Sequence, residues 1–167
     1  MRPIWTALLA LASAGLAANT SLYTSLEPGA CRNLVTDPSG AGYVRDLCSG
    51  VGGYQLLVEE GDLRQNVTVR RGGVQTSLEL WSVVGSAFSS LGPRAEWRLK
   101  AGVPVALILR YNLSDPVEAS KVTSYLVVAR LGARPCVVAR IAPVPQQNVR
   151  ARQAADGAAG RSCLRAP

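Results

Sequence analysis

The side chains that most often carry catalysis are scarce in this sequence. Its 167 residues include no histidine. That removes Ser-His-Asp and Cys-His nucleophile arrangements, His-ligated zinc and imidazole general bases together. A serine nucleophile served by lysine would need Lys100 or Lys121, the only lysines, and neither lies in an S-x-x-K motif. Ser120 and Lys121, as neighbours in a strand, would point to opposite faces. Carboxylate chemistry survives, because two Asp or Glu side chains suffice for glycoside hydrolysis. The densest group is Glu59, Glu60 and Asp62. It reads as a solvated hairpin turn, with too few oxygen ligands in sequence for a calcium site. Glu79, Glu96 and Glu118 stand alone.

The four cysteines, Cys31, Cys48, Cys136 and Cys163, are even in number, widely spaced and without a C-x-x-C pair. In an oxidising compartment they read as two disulfides and not as a metal site. Three connectivities are open. Short loops close most readily, which favours Cys31 with Cys48 and Cys136 with Cys163, each bond stabilising by about 3 to 3.5 kcal/mol in the chain-entropy model. No metal and no cofactor is expected.

The formal charge is +7, and nearly all of the positive charge is arginine, which favours planar anions such as carboxylate and phosphate. Gly50-Val51-Gly52-Gly53 is the only glycine-rich candidate for phosphate. It precedes a strand and does not open a helix, so it reads as a turn. Period-two alternation puts Arg64, Arg70, Arg98, Lys100, Arg110, Lys121 and Arg140 at outward positions on successive strands, opposed clearly only by Glu96. From these, Arg64, Arg98, Lys100, Arg110 and Arg140 are the candidate binding residues of a basic sheet face. An anionic partner is implied: a phosphorylated glycolipid, an anionic envelope polymer or an acidic protein. The plain alternative is an ordinary solvated face. Nucleic acid is not expected, since the basic positions are not interleaved with stacking aromatics. The sequons at Asn66 and Asn112 matter only in a host that glycosylates secreted proteins.

The beginning of the chain sets the address. A cationic Arg2, an apolar stretch over residues 4–16 and small residues at Ala14, Ala17 and Ala18 predict a cleavable secretory signal over residues 1–18. That stretch is too short to cross ~30 Å of hydrocarbon, and no later apolar run approaches the ~18 residues of a spanning helix. The expectation is a soluble periplasmic or secreted chain whose residues 19–167 form one disulfide-bonded β-rich domain.

Residues 19–53 look irregular, with turn signals at Glu27-Pro28-Gly29, Asp37-Pro38-Ser39-Gly40 and Ser49 to Gly53. Residues 54–59 and 63–70 form a hairpin around Glu60-Gly61-Asp62, with Leu63, Val67 and Val69 on one face and Arg64, Asn66, Thr68 and Arg70 on the other. A less regular strand is predicted over 77–84. Residues 95–100 alternate with Ala95, Trp97 and Leu99 inward. Residues 103–111 follow with Val103, Val105, Leu107 and Leu109 inward, Pro104 marking a strand end or sheet edge. Residues 121–130 and 136–142 make a third pair. A helix is predicted over 146–155, with Pro145 before it and Gly157 to stop it. The fold class is mainly β: a single-domain antiparallel sandwich or small barrel of about seven strands with a C-terminal helix. A transmembrane barrel is disfavoured by the few aromatics and the Arg-rich, Cys-bearing tail.

At Gly53-Tyr54 through Glu60-Gly61-Asp62-Leu63-Arg64, at Glu96-Trp97-Arg98 and Ile108-Leu109-Arg110, and in the spacing of the last two cysteines, the chain resembles small uncharacterised exported proteins of Gram-negative bacteria. That resemblance implies a periplasmic address and carries no site residues. The function expected from the residues is a non-enzymatic exported binding or accessory domain of the cell envelope. A carboxylate-based glycan hydrolase and a structural envelope component are the alternatives.

Overall fold

The computed structural model describes residues 18–40 and 42–166. The expected export signal, except for Ala18, lies outside the described residues. In chain order the strands are β1 (Thr20–Ser25), β2 (Arg32–Asp37), β3 (Tyr43–Ser49), β4 (Tyr54–Gly61), β5 (Arg64–Arg71), β6 (Val74–Ser77), β7 (Ser89–Lys100), β8 (Val103–Ser114), β9 (Val122–Arg130) and β10 (Cys136–Ile141). A short helix, α1 (Leu80–Val83), precedes β7, and α2 (Gln147–Asp156) follows β10.

Two five-stranded antiparallel sheets result, the first in the order β1-β7-β8-β9-β10 and the second in the order β2-β3-β4-β5-β6. They pack as a sandwich. Leu56, Val58, Val67 and Val69 of the second sheet meet Ala95, Trp97, Leu107, Leu109 and Tyr111 of the first. The alternation that predicted the hairpins is what fills this core, since every second side chain turns to the same side. The Trp97 indole N–H donates to Thr24 Oγ1 at 2.8 Å, which satisfies its one polar atom inside the sandwich. Gly50 lies against this ring, where a Cβ would stand 2.9 Å from Trp97 Cζ2. Close packing explains that glycine better than loop freedom does.

The pairings Cys31–Cys48 and Cys136–Cys163 are present, with Cα separations of 4.4 and 5.7 Å. The helix over 147–156 ends at Gly157 as expected. Its underside consists of Ala151, Ala154 and Ala155, continued by Ala158, and rests on Ala106, Ile108, Leu126 and Val128 of the first sheet's outer face.

Four expectations need correction. Residues 19–53 are not irregular, since they supply β1, β2 and β3. All six residues of β2 are exposed, so no buried face stamps a period on that segment. Residues 77–84 are a strand end followed by α1: Glu79 takes a left-handed conformation (φ 52°), and Asn66 Oδ1 accepts a hydrogen bond from Leu80 N at 3.0 Å, so the chain turns there. Leu63 does not face the core; it sits in the turn at φ 55° and is 60% exposed. Asp62 beside it is also left-handed, at φ 51°, the pairing that a two-residue hairpin demands to match strand twist. Val103 is likewise exposed, and a bulge at Arg98 and Leu99 shifts the register so that Pro104 faces Leu99.

Candidate functional site

The candidate basic residues are distributed over the molecule. Arg64 belongs to the second sheet, where its Nε donates to Ser86 O at 2.8 Å, its Nη1 pairs with the Asp62 carboxylate, and its guanidinium lies over the Phe88 ring. Arg140 on β10 stacks over Tyr125 with 5.2 Å to the ring centroid and donates to Val84 O, closing the end of the sandwich. Lys100 is the exposed last residue of β7. Lys121 pairs with Glu118 at 2.6 Å in solvent. Arg98 does not face water: it is 7% exposed beneath α2, where its Nε and Nη2 grip Asp156 at 2.8 and 2.9 Å and its Nη1 donates to Ser21 Oγ at 2.7 Å. A helix docked on the outer face has converted the outward position into a buried one.

Arg110 remains, and the fold gives it companions. Registers along β1, β7 and β8 put Tyr23, Arg94, Glu96, Ile108 and Arg110 on the same outer face, and α2 lowers Arg152 toward them. Together they line a hollow of about 400 Å³, with Asn148 at its helical side. Arg152 Nε donates to Glu96 Oε1 at 2.6 Å and its Nη2 to Tyr23 Oη at 2.8 Å. Ser21 Oγ donates to the same Glu96 oxygen at 2.6 Å. Burial alone would raise the Glu96 carboxyl, but the hydrogen bonds from Arg152 and Ser21 and the adjacent positive charge hold it below its ordinary value. That hydrogen bond from Arg152 to Glu96 raises Arg152. Arg110 Nη1 donates to Ser124 Oγ at 2.9 Å, and Arg94 lies over the Tyr23 ring at 5.7 Å. Neither Arg94 nor Arg110 has a carboxylate within salt-bridge reach among the described residues. The hollow therefore presents three guanidiniums against one carboxylate.

Arg94 and Arg152 were not among the sequence-predicted residues. Arg94 shares the parity of Glu96 and Arg98, a usable signal, but it follows Gly92-Pro93 in a stretch that reads as loop. Arg152 is a helical residue, and no periodicity links it to Glu96 on a strand 56 positions earlier.

A larger groove, of about 560 Å³, opens where the two sheets part. Its floor is the inner face of the second sheet, with Val44 and Val58 between Asp46 and Glu60. Each carboxylate is held by the amide of its cross-strand neighbour. Asn33 Nδ2 donates to Asp46 Oδ1 at 2.8 Å, and Gln65 Nε2 donates to Glu60 Oε2 at 2.5 Å. Thr36 Oγ1 in turn donates to Asn33 Oδ1 at 3.1 Å, and Gln65 Oε1 accepts from Leu91 N, fixing both amides. The expected Glu59-Glu60-Asp62 turn cluster is thus divided. Glu59 faces outward with Arg45 at 3.4 Å, Asp62 stays in the turn with Arg64, and Glu60 enters the groove. Glu60 shares the parity of Leu56 and Val58, and Asp46 that of Cys48, so both were legible as carboxylates on a buried face.

No protein-family model, no curated protein and no solved structure matches the chain.

Proposed function

We propose that this is an exported, non-enzymatic accessory domain of the cell envelope, periplasmic or secreted, that holds an anionic group of an envelope glycolipid or polymer in the hollow beside α2. The observation that carries the reading is the pair Arg94 and Arg110, two guanidiniums without a carboxylate partner among the described residues, opposite an Arg152 already oriented by Glu96 and Tyr23. Guanidiniums fit carboxylate and phosphate oxygens with paired hydrogen bonds, and their positions here are set by a sheet and a helix before the anion arrives. The two disulfides suit an oxidising compartment. Among the described residues no helix is long and apolar enough to cross a membrane.

Binding accounts for the geometry better than hydrolysis. Two carboxylates that cleave a glycosidic bond flank it from opposite sides, whereas Asp46 and Glu60 rise from one wall of the groove and Glu27, the third carboxylate there, is an exposed residue just past the end of β1. The test is retention of the protein on phosphorylated lipopolysaccharide at low salt. Arg94→Ser with Arg110→Ser should weaken it by ~10-fold or more, the loss of one to two charge-assisted hydrogen bonds, and dephosphorylating the lipid should do the same to the parent protein. Retention untouched by both changes defeats the reading, and retention lost only when acidic proteins are stripped from the preparation transfers the partner to a protein.

A further inference from the structure

The groove between the sheets has the opposite sign from the rest of the molecule. In a chain of formal charge +7, its wall includes Glu27, Asp46 and Glu60 and no Arg or Lys. Asp46 is 8% exposed and lines the groove; its Oδ1 takes the Asn33 amide, and its Oδ2, without a donor among the described residues, still reaches solvent. Carboxylates removed from water are normally matched by a cation, because their desolvation is costly. Here the buried Asp46 and the half-buried Glu60 meet only neutral amides among the described residues, so the groove keeps a negative charge that a cation would complement. Among the described residues no three acidic or cysteine side chains are grouped to hold a metal ion, whereas an ammonium or guanidinium needs only one carboxylate for a charge-assisted hydrogen bond.

The second observation concerns the strand at the mouth of the groove. β2 is the edge of its sheet, all six of its residues are exposed, and Leu34 and Val35 keep more than a third of their surface in solvent. Apart from its pairing with β3, its backbone makes no hydrogen bond to another backbone group among the described residues. A free edge of this kind is a template for an added strand, whose backbone supplies affinity while pockets for alternate side chains supply choice.

The geometry points to a docking site for an extended segment of a protein partner that pairs with β2 and sends a Lys or Arg side chain across Asn33 to Asp46. Two strand spacings, ~10 Å, separate an added strand from β3, a distance that an extended Lys or Arg and an Asp span together. Val44, Val58 and Leu91 give an apolar lining beside the stem of that long side chain, and Glu60 deepens the negative field farther in. This site is independent of the anion hollow, which lies on the outer face of the other sheet.

The test is fluorescence anisotropy with a labelled heptapeptide, Thr-Val-Thr-Lys-Thr-Val-Thr, against its counterpart with Glu in place of Lys. The Lys peptide should bind, the Glu peptide should bind at least ~10-fold more weakly, and Asp46→Asn should cost the Lys peptide a similar factor. Bound peptide should slow hydrogen exchange at the backbone amides of residues 32–37. Glu60→Gln, at a half-buried position, should weaken binding ~3-fold by loss of field, and carries the same readout should Asp46→Asn lower the unfolding midpoint. Arg94→Ser with Arg110→Ser should leave peptide binding unchanged, which separates failure of this site from failure of the hollow. Equal binding of the two peptides, no binding of either, or butylamine binding as tightly as the Lys peptide with no protection of β2 overturns the proposal.

Discussion

On the outer face of the first sheet every partly buried carboxylate is matched by a guanidinium: Asp156 by Arg98 and Glu96 by Arg152. On the inner face of the second sheet Asp46 and Glu60 meet, among the described residues, only the amides of Asn33 and Gln65. In the first arrangement charge is spent on architecture, because the two ion pairs fasten α2 to the sheet, and the arginines left over define a hollow. In the second, uncharged donors position the acids without cancelling them. The difference teaches that the residues with most charge are not the most available for a ligand. Arg98 is consumed by the fold, while Asp46, behind a neutral amide, still presents its charge.

Unfolding free energies give the sharpest way to break that contrast. Arg98→Met should cost ~2–3 kcal/mol, since it leaves Asp156 without its cation, at a value reduced from the usual buried-pair range because Asp156 is a third exposed. Asp46→Asn should change stability by no more than ~0.5 kcal/mol, as its Oδ1 keeps the Asn33 donor. Urea unfolding at neutral pH reads both, and equal losses would erase the distinction. A smaller effect is expected with pH. Because the folded Glu96 carboxyl lies below its ordinary value, the stability it contributes is complete above the unfolded pKa, ~4.3. It is lost as pH falls through that value toward the folded one. Glu96→Gln should flatten this acid limb of the stability curve, measured between about pH 3 and 6, and an unchanged slope counts against the Arg152 bond. On the second sheet one change is expected to be a gain: Leu63→Gly should stabilise by at most ~1 kcal/mol by relieving a left-handed leucine, raising the urea midpoint.

Much of the fold was legible because burial imposes parity. Val67 and Val69, Trp97 and Leu99, and Leu107 and Leu109 declared their faces in the sequence, and short loop closure named both disulfides. What escaped lacked such a signature. β2 is exposed on both faces, so its sequence alternates with nothing. Arg98 obeyed its outward parity and was buried by a helix whose docking no strand period encodes. The hollow beside α2 joins residues from β1, β7, β8, β9 and α2, of which only Arg110 and the opposing Glu96 were anticipated. Asp46 and Glu60 were legible in principle, through acids placed in phase with Cys48 and with Leu56 and Val58, but a turn rich in Asp and Gly reads first as solvated.

The methyl groups under α2 act as a ruler. Ala151, Ala154 and Ala155 are buried against the sheet, and their small size brings the helix axis close to β8. The separation between Arg152 on the helix and Arg110 on the strand is therefore calibrated by side chains that line no part of the hollow. Enlarging any of them would lift one jaw away from the other while leaving every arginine in place. The width of the hollow is thereby written in alanines.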